Sequence, residues 1–316
     1  MIRVFKGESP DRLEGESCRR RVQTNVENGT FGGSFCENPE VKASLRESLH
    51  GKCVYCEIIP EGATPEVEHY RPKGGIAADP NHKGYYWLGH EWNNLLLACP
   101  TCNSNGKKGT QFPIKGTRVY EPILNEEGGF DRSCTIPTQA PLADEKPLLL
   151  NPAWEDPLPH LKFNADGTIE GRTERGVKTI EVCQLNRGDL IVGRKKVVDN
   201  YLTDLNKILD IFINADFSAD NADVMDLWRS LLRSFLQNWL DKIINETSET
   251  HKFAGFRRQA FWKYEQFYVQ QLSGDGQRFI RELFESRPLF SLPIWLVAGS
   301  ARDIDGDRGT GISLSM

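Results

Sequence analysis

The stretch that decides the fold of this chain runs from Cys53-Val-Tyr-Cys56 to Cys99-Pro-Thr-Cys102 and contains Val67-Glu68-His69-Tyr70-Arg71-Pro72-Lys73 between them. Each C-x-x-C pair can supply two sulfur atoms to one side of a tetrahedron, so two pairs in one region are typical of a four-thiolate zinc site. The sequence therefore predicts structural zinc held by Cys53, Cys56, Cys99 and Cys102.

Composition restricts the class of protein further. A chain of 316 residues can form one or two domains with a sizeable core. It contains no apolar run long enough to span a membrane, and its start does not read as a secretory signal, so we expect a cytoplasmic protein. The net charge of −5 does not exclude DNA binding, because only the charge that faces the phosphates matters.

Local patterns give a coarse secondary structure. Apolar residues four positions apart predict a helix within 41–50, and Thr64–His69 reads as a short strand. Tight-turn residues between alternating positions predict a hairpin at 161–171. After about residue 185, apolar residues recur at helical spacing, while 299–316 is glycine-rich and is predicted to be a flexible tail.

The polar residues between and beside the cysteine pairs suit phosphodiester hydrolysis. His69 can remove a proton from water, because imidazole titrates near neutral pH. An amide oxygen of Asn94 or Asn93 could orient its ring by binding the second ring nitrogen. Glu68 and Asn103 offer oxygen ligands of the kind that Mg²⁺ and Mn²⁺ prefer.

These motifs together resemble the zinc-bearing HNH endonucleases, and most of all the subgroup found in Septu-type and retron-linked anti-phage systems. The resemblance rests on Cys53-x-x-Cys56, Glu68-His69-Tyr70-Arg71-Pro72-Lys73, Trp92-x-Asn94-Leu95 and Cys99-x-x-Cys102-Asn103. It implies that His69 is the general base and Asn94 the middle asparagine. Asn103 stands where the family name has histidine, and Glu68 stands where aspartate is usual.

The resemblance also implies an architecture and a partner. We expect an α+β protein with a ββα-metal nuclease core at about 50–115, inside a nuclease domain of residues 1–200. A helical domain of residues 201–316 would follow it. The implied function is Mg²⁺- or Mn²⁺-dependent cleavage of DNA, as the nuclease of an anti-phage defence system that works with an SMC-like (ABC-type) ATPase.

Four basic residues are candidates for contacts with DNA phosphates: Arg71, Lys73, Lys107 and Lys108. The competing interpretation is a non-catalytic zinc-ribbon module that binds nucleic acid, or a structural subunit of an ATPase assembly. Such a protein would need the cysteine pairs but not Glu68, His69 or Asn94. The sequence leaves open the choice between DNA and RNA, the activating trigger and the oligomeric state.

Overall fold

The chain divides into two compact units in a computed structural model that describes residues 1–213, 222–288 and 291–296. Unit 1 comprises residues 1–161 and 170–186, and unit 2 comprises residues 162–169 and the chain from residue 187 onward. The flexible tail predicted at 299–316 lies outside the described residues. Among the described residues, no helix combines the length and apolar character that crossing a membrane requires.

Helices and two short strand pairs make up these units, so the predicted α+β class is confirmed. In chain order the elements are α1 (Asp11–Glu14), α2 (Glu16–Asn28), α3 (Pro39–Ser48), β1 (Glu66–His69), β2 (Leu95–Ala98), α4 (Pro100–Asn103), β3 (Leu161–Phe163), β4 (Ile169–Gly171), α5 (Glu174–Val182), α6 (Gly188–Ile213), α7 (Ala222–Glu246), α8 (Ala254–Trp262), α9 (Tyr264–Phe267) and α10 (Asp275–Glu285). Short 3₁₀ turns lie at Phe35–Glu37, Tyr86–Leu88, Trp92–Asn94, Arg132–Thr135, Ala143–Glu145, Leu158–His160 and Val269–Gln271.

Helix α3 shows how local sequence sets the start of an element. The Asn38 side chain accepts a hydrogen bond from the backbone N–H of Glu40, and a proline occupies the first helical position. Both features stabilise a helix N-terminus. Val41 and Leu45 are buried on its inner face, as the four-residue spacing predicts.

The strand pair β1–β2 organises the region of the cysteines. The two strands are antiparallel, with Glu66 opposite Ala98 and His69 opposite Leu95. Strand β2 is buried along its whole length, which explains its continuous apolar sequence. Helix α4 follows β2 directly, so the segment has the order strand, strand, helix around the two cysteine pairs.

Unit 2 contains the long helices α6 and α7, which pack against each other. Within this unit the indole N–H of Trp239 donates to the carbonyl of Tyr201 at 2.9 Å. The domain boundary predicted at residue 200 falls inside α6, because that helix continues without a break from Gly188 to Ile213. The division between the units comes earlier, between Asn186 and Arg187.

Candidate functional site

The four paired cysteines come together in one buried cluster. Their sulfur atoms all lie within 4.8 Å of one another, and the Sγ atoms of Cys56 and Cys99 are 3.8 Å apart. A tetrahedron with metal–sulfur bonds of about 2.3 Å has edges of about 3.8 Å. A disulfide would require about 2.05 Å, so the spacing suits a shared metal ion rather than a covalent bond.

A backbone hydrogen bond holds the first cysteine turn against the strand pair, and the second turn follows β2 directly. The N–H of Val54 donates to the carbonyl of Leu97 at 2.8 Å, which ties the first turn to β2. In the second turn, the N–H of Asn103 donates to the carbonyl of Cys99 at 3.0 Å, and the N–H of Cys102 points to the Cys99 sulfur at 3.4 Å. The cluster is therefore built into the same unit that carries His69.

His69 ends β1 with its ring almost fully buried. Its Nε2 lies 3.0 Å from the carbonyl of Gly89, and a carbonyl can only accept a hydrogen bond. Burial, followed by the positive charge of Lys73, lowers the pKa of His69 to about 3, so the ring is neutral. A neutral ring that donates from Nε2 keeps its lone pair on Nδ1, and that nitrogen is the one able to accept a proton.

Phe31, in the segment between α2 and α3, covers this histidine. Its ring meets the His69 ring edge-on with the centroids 6.0 Å apart, and the ammonium of Lys73 lies 4.6 Å from the Phe31 centroid. The segment is held by His90, whose Nε2 donates to the carbonyl of Gly32 at 2.9 Å. A Cβ on Gly89 would come within 2.2 Å of the Phe31 ring, so only glycine leaves room for it.

Asn94 fixes the backbone around His69 rather than its ring. The Asn94 side chain accepts from the N–H of Arg71 at 2.8 Å and donates to the carbonyls of Arg71 at 2.9 Å and Leu88 at 3.2 Å. It thereby clamps the chain after β1 to the chain just before Gly89. The prediction that Asn94 orients His69 is thus modified, since the ring itself is bound by the Gly89 carbonyl.

Glu68 and Asn103 have other partners than a common cation. The carboxylate of Glu68 is buried, with its Oε1 2.8 Å from the ammonium of Lys108 and 3.1 Å from the hydroxyl of Tyr55. Burial raises the pKa of Glu68, and Lys108 opposes that effect. Asn103 is partly exposed and donates to Glu66 at 2.8 Å. These contacts do not fit the predicted site in which Glu68 and Asn103 share one divalent cation.

The four candidate phosphate contacts separate into two groups. Arg71 is buried and paired with Glu145 at 2.8 Å, and it also donates to the carbonyl of Leu142. Lys108 is likewise buried in its ion pair. Neither can reach a phosphate without leaving a buried carboxylate uncompensated, so the prediction for Arg71 and Lys108 is corrected. Lys73 and Lys107 are partly exposed and remain candidates.

Sequence reasoning did not single out Phe31, Gly89 or Glu145. Phe31 and Gly89 meet only in the folded chain, and no spacing rule connects a loop aromatic residue with a glycine far along the sequence. Glu145 is fully buried as the partner of Arg71 and also accepts hydrogen bonds from Tyr85 and the N–H of Val119. A lone glutamate in an irregular stretch carries no signal of that role.

The fold and site define a strand–strand–helix unit built on a four-cysteine cluster, with a buried neutral histidine at the end of its first strand. The chain is similar to Septu protein PtuB of Bacillus mycoides (strain KBAB4), with 36% identity over 181 residues. It is also similar to Septu protein PtuA of the same strain, with 25% identity over 207 residues. The chain is a homologue of Septu proteins, so the predicted resemblance to that group is confirmed.

These similarities cover only part of this chain and part of each relative. The aligned region covers 55% of this chain and 56% of PtuB, and 64% of this chain and 25% of PtuA. The chain thus spans little more than half the length of the first relative and a quarter of the second. No protein-family model matches the chain, and no solved structure matches it significantly. The finer assignment to HNH endonucleases stays a prediction.

Removing one sulfur ligand should abolish metal binding and unfold the cysteine region. We expect Cys56→Ser to lose its bound zinc and to lose the cooperative unfolding transition of unit 1, because metal binding and folding are coupled in such clusters. Elemental analysis and circular dichroism measure both effects. The matched control is Cys134→Ser, since Cys134 lies outside the cluster and is only partly buried. Full zinc content in Cys56→Ser would contradict the four-sulfur site.

The lowered pKa of His69 should appear as a loss of stability in acid. The unfolded histidine binds a proton below pH 6.5, whereas the folded one binds it only near pH 3. The free energy of unfolding should therefore fall as pH drops from 6.5, by about 1.4 kcal/mol per pH unit. When the pH falls from 6.5 to 5, the free energy of unfolding measured by urea titration should fall by about 1.5 kcal/mol less in His69→Asn than in the native chain.

The control for this acid effect is His50→Asn. His50 is exposed and adopts φ of 51°, a conformation that asparagine tolerates well. This variant should retain the acid dependence of the native chain. Identical pH slopes for His69→Asn and the native chain would show that His69 is not held neutral by burial.

Proposed function

We propose that this protein is a nuclease that hydrolyses phosphodiester bonds of DNA, with His69 as general base. The observation that carries this proposal is the neutral imidazole at the end of β1, with its Nε2 bound to the Gly89 carbonyl and its lone pair on Nδ1. The four-cysteine cluster, which we assign to structural zinc, and the clamp formed by Asn94 hold this histidine in a defined position. The resemblance to HNH endonucleases supports the same assignment.

The chemical step follows from the groups of the chain. His69 Nδ1 accepts a proton from a water molecule, and the resulting hydroxide attacks the phosphorus. The bond to the leaving oxygen breaks, and that oxygen takes the bonding electron pair and a proton from solvent. Lys73 and Lys107 are partly exposed and are candidates for binding phosphate oxygens. An Mg²⁺ or Mn²⁺ ion would stabilise the negative charge, but Glu68 is already neutralised by Lys108, so no step is assigned to such an ion.

Because His69 is buried, cleavage requires a movement that gives the substrate access to its ring. The ring is almost fully buried and meets the Phe31 ring edge-on, so we assign the movement that admits a phosphodiester to the segment around Phe31. The same burial favours a second candidate function, a non-catalytic zinc-bearing module that binds nucleic acid or acts as a structural subunit. In that case His69 and Glu68 would serve only as buried, satisfied polar groups.

A plasmid assay separates the two candidates. With zinc-loaded protein in the presence of Mg²⁺, Mn²⁺ or a chelator, we expect the native chain to nick or linearise supercoiled DNA. His69→Asn should lower the rate by about a hundred to ten thousandfold, because the general base is lost. His50→Asn should retain the native rate. Equal cleavage by His69→Asn and the native chain, with equal zinc content, would favour the non-catalytic candidate.

We also propose that the protein acts with an SMC-like (ABC-type) ATPase in an anti-phage defence system. The support is the resemblance stated above and the similarity to two proteins that both carry the Septu name. Co-expression of the full tagged chain with a Septu-type ATPase from the same genome should give one complex in size-exclusion chromatography. An unrelated protein with the same tag serves as the control, and separate elution of the two chains would contradict the partnership.

A further inference from the structure

The ammonium group of Lys108 lies in a buried cage of oxygen atoms. Its Nζ is 2.8 Å from the Glu68 carboxylate, 3.2 Å from the carbonyl of His69 and 3.2 Å from the carbonyl of Gly109. The side chain has no exposed surface. One carboxylate and two backbone carbonyls are the hard oxygen ligands that cations prefer in proteins. The lysine therefore occupies a position with the ligand chemistry of a cation site.

Both halves of this cage are tied to the cysteine turns. The N–H of Lys108 donates to the carbonyl of Cys102 at 3.2 Å, so the second cysteine turn sets where the lysine starts. Tyr55, inside the first cysteine pair, donates to the same Glu68 oxygen that faces Lys108. The ion pair is thus a built feature of the fold and not a surface contact between flexible side chains.

A divalent cation would compete directly with this lysine. To bind Glu68, the ion would have to come close to a buried ammonium of the same sign of charge, at a carboxylate whose Oε1 is already held by that ammonium. Glu68 is the residue that the HNH resemblance assigns to the catalytic ion. The ion pair occupies Oε1 of Glu68, so a divalent ion at that carboxylate would have to share it with a buried ammonium or displace the ammonium.

We propose that Lys108 is a resident cation of this site, which takes the place of a divalent ion at Glu68. Occupation of the cage by the ammonium does not depend on the proposed nuclease function. A role of Lys108 in cleavage would depend on that function, because the His69 carbonyl is one of the oxygen ligands of the cage. The immediate consequence is that the native chain has no divalent-ion site that depends on Glu68.

Binding of Mn²⁺ tests this proposal in the absence of DNA. Zinc-loaded protein is titrated with Mn²⁺, and free Mn²⁺ is followed by electron paramagnetic resonance. We expect the native chain and Glu68→Gln to bind Mn²⁺ alike. Lys108→Ala should gain one site per chain, and Lys108→Ala combined with Glu68→Gln should lose it again. The control is Lys107→Ala, which removes the neighbouring, partly exposed lysine and should gain no site.

Two results of this titration would overturn the proposal. A Mn²⁺ site in the native chain that disappears in Glu68→Gln overturns the proposal, because the divalent ion then displaces the lysine. A folded Lys108→Ala that gains no site also overturns it, because the cage is then not a cation site. If circular dichroism shows that Lys108→Ala does not fold, the comparison of the native chain with Glu68→Gln decides alone. Since no step of this test involves cleavage, its failure and the failure of the nuclease assignment are distinguishable.

Discussion

The convergence of four sulfur atoms at one point is the constraint on which the rest of unit 1 depends. Two turns far apart in the chain meet there: the first is hydrogen-bonded to β2, and the second follows β2 directly. The strands β1 and β2 have only four residues each, which is too little to be stable alone in water. A metal ion bound by the cluster would supply the missing restraint, next to the histidine that ends β1.

The cysteine cluster and the local elements could be predicted because their signals are contiguous in sequence. The C-x-x-C pairs, the helix around Val41 and Leu45, and the short strand ending at His69 each rest on spacing within a few residues. Side-chain partnerships over long range could not be predicted in this way. The pairs Arg71–Glu145 and Glu68–Lys108 join distant residues, and either lysine of Lys107-Lys108 could have been the buried one until the fold was known.

The roles of polar residues near a motif are thus decided by burial more than by identity. Glu68 has the chemistry of a metal ligand in sequence, but a buried carboxylate needs a counter-charge wherever it lies, and Lys108 provides it. Asn94 has the chemistry of a side chain that orients histidine, yet its three hydrogen bonds go to backbone groups. In both cases the residue types agree with the motif, while the folded environment determines what they bind.

Burial also links access and reactivity at His69. An imidazole with a pKa of about 3 is a weak base at neutral pH, because its protonated form is poorly solvated beneath Phe31 and lies near Lys73. Moving Phe31 away would hydrate the ring, and a phosphate group beside it would stabilise the imidazolium, so both changes raise the pKa towards neutrality. Under the proposed function, the motion that admits the substrate is therefore also the motion that makes His69 an effective base.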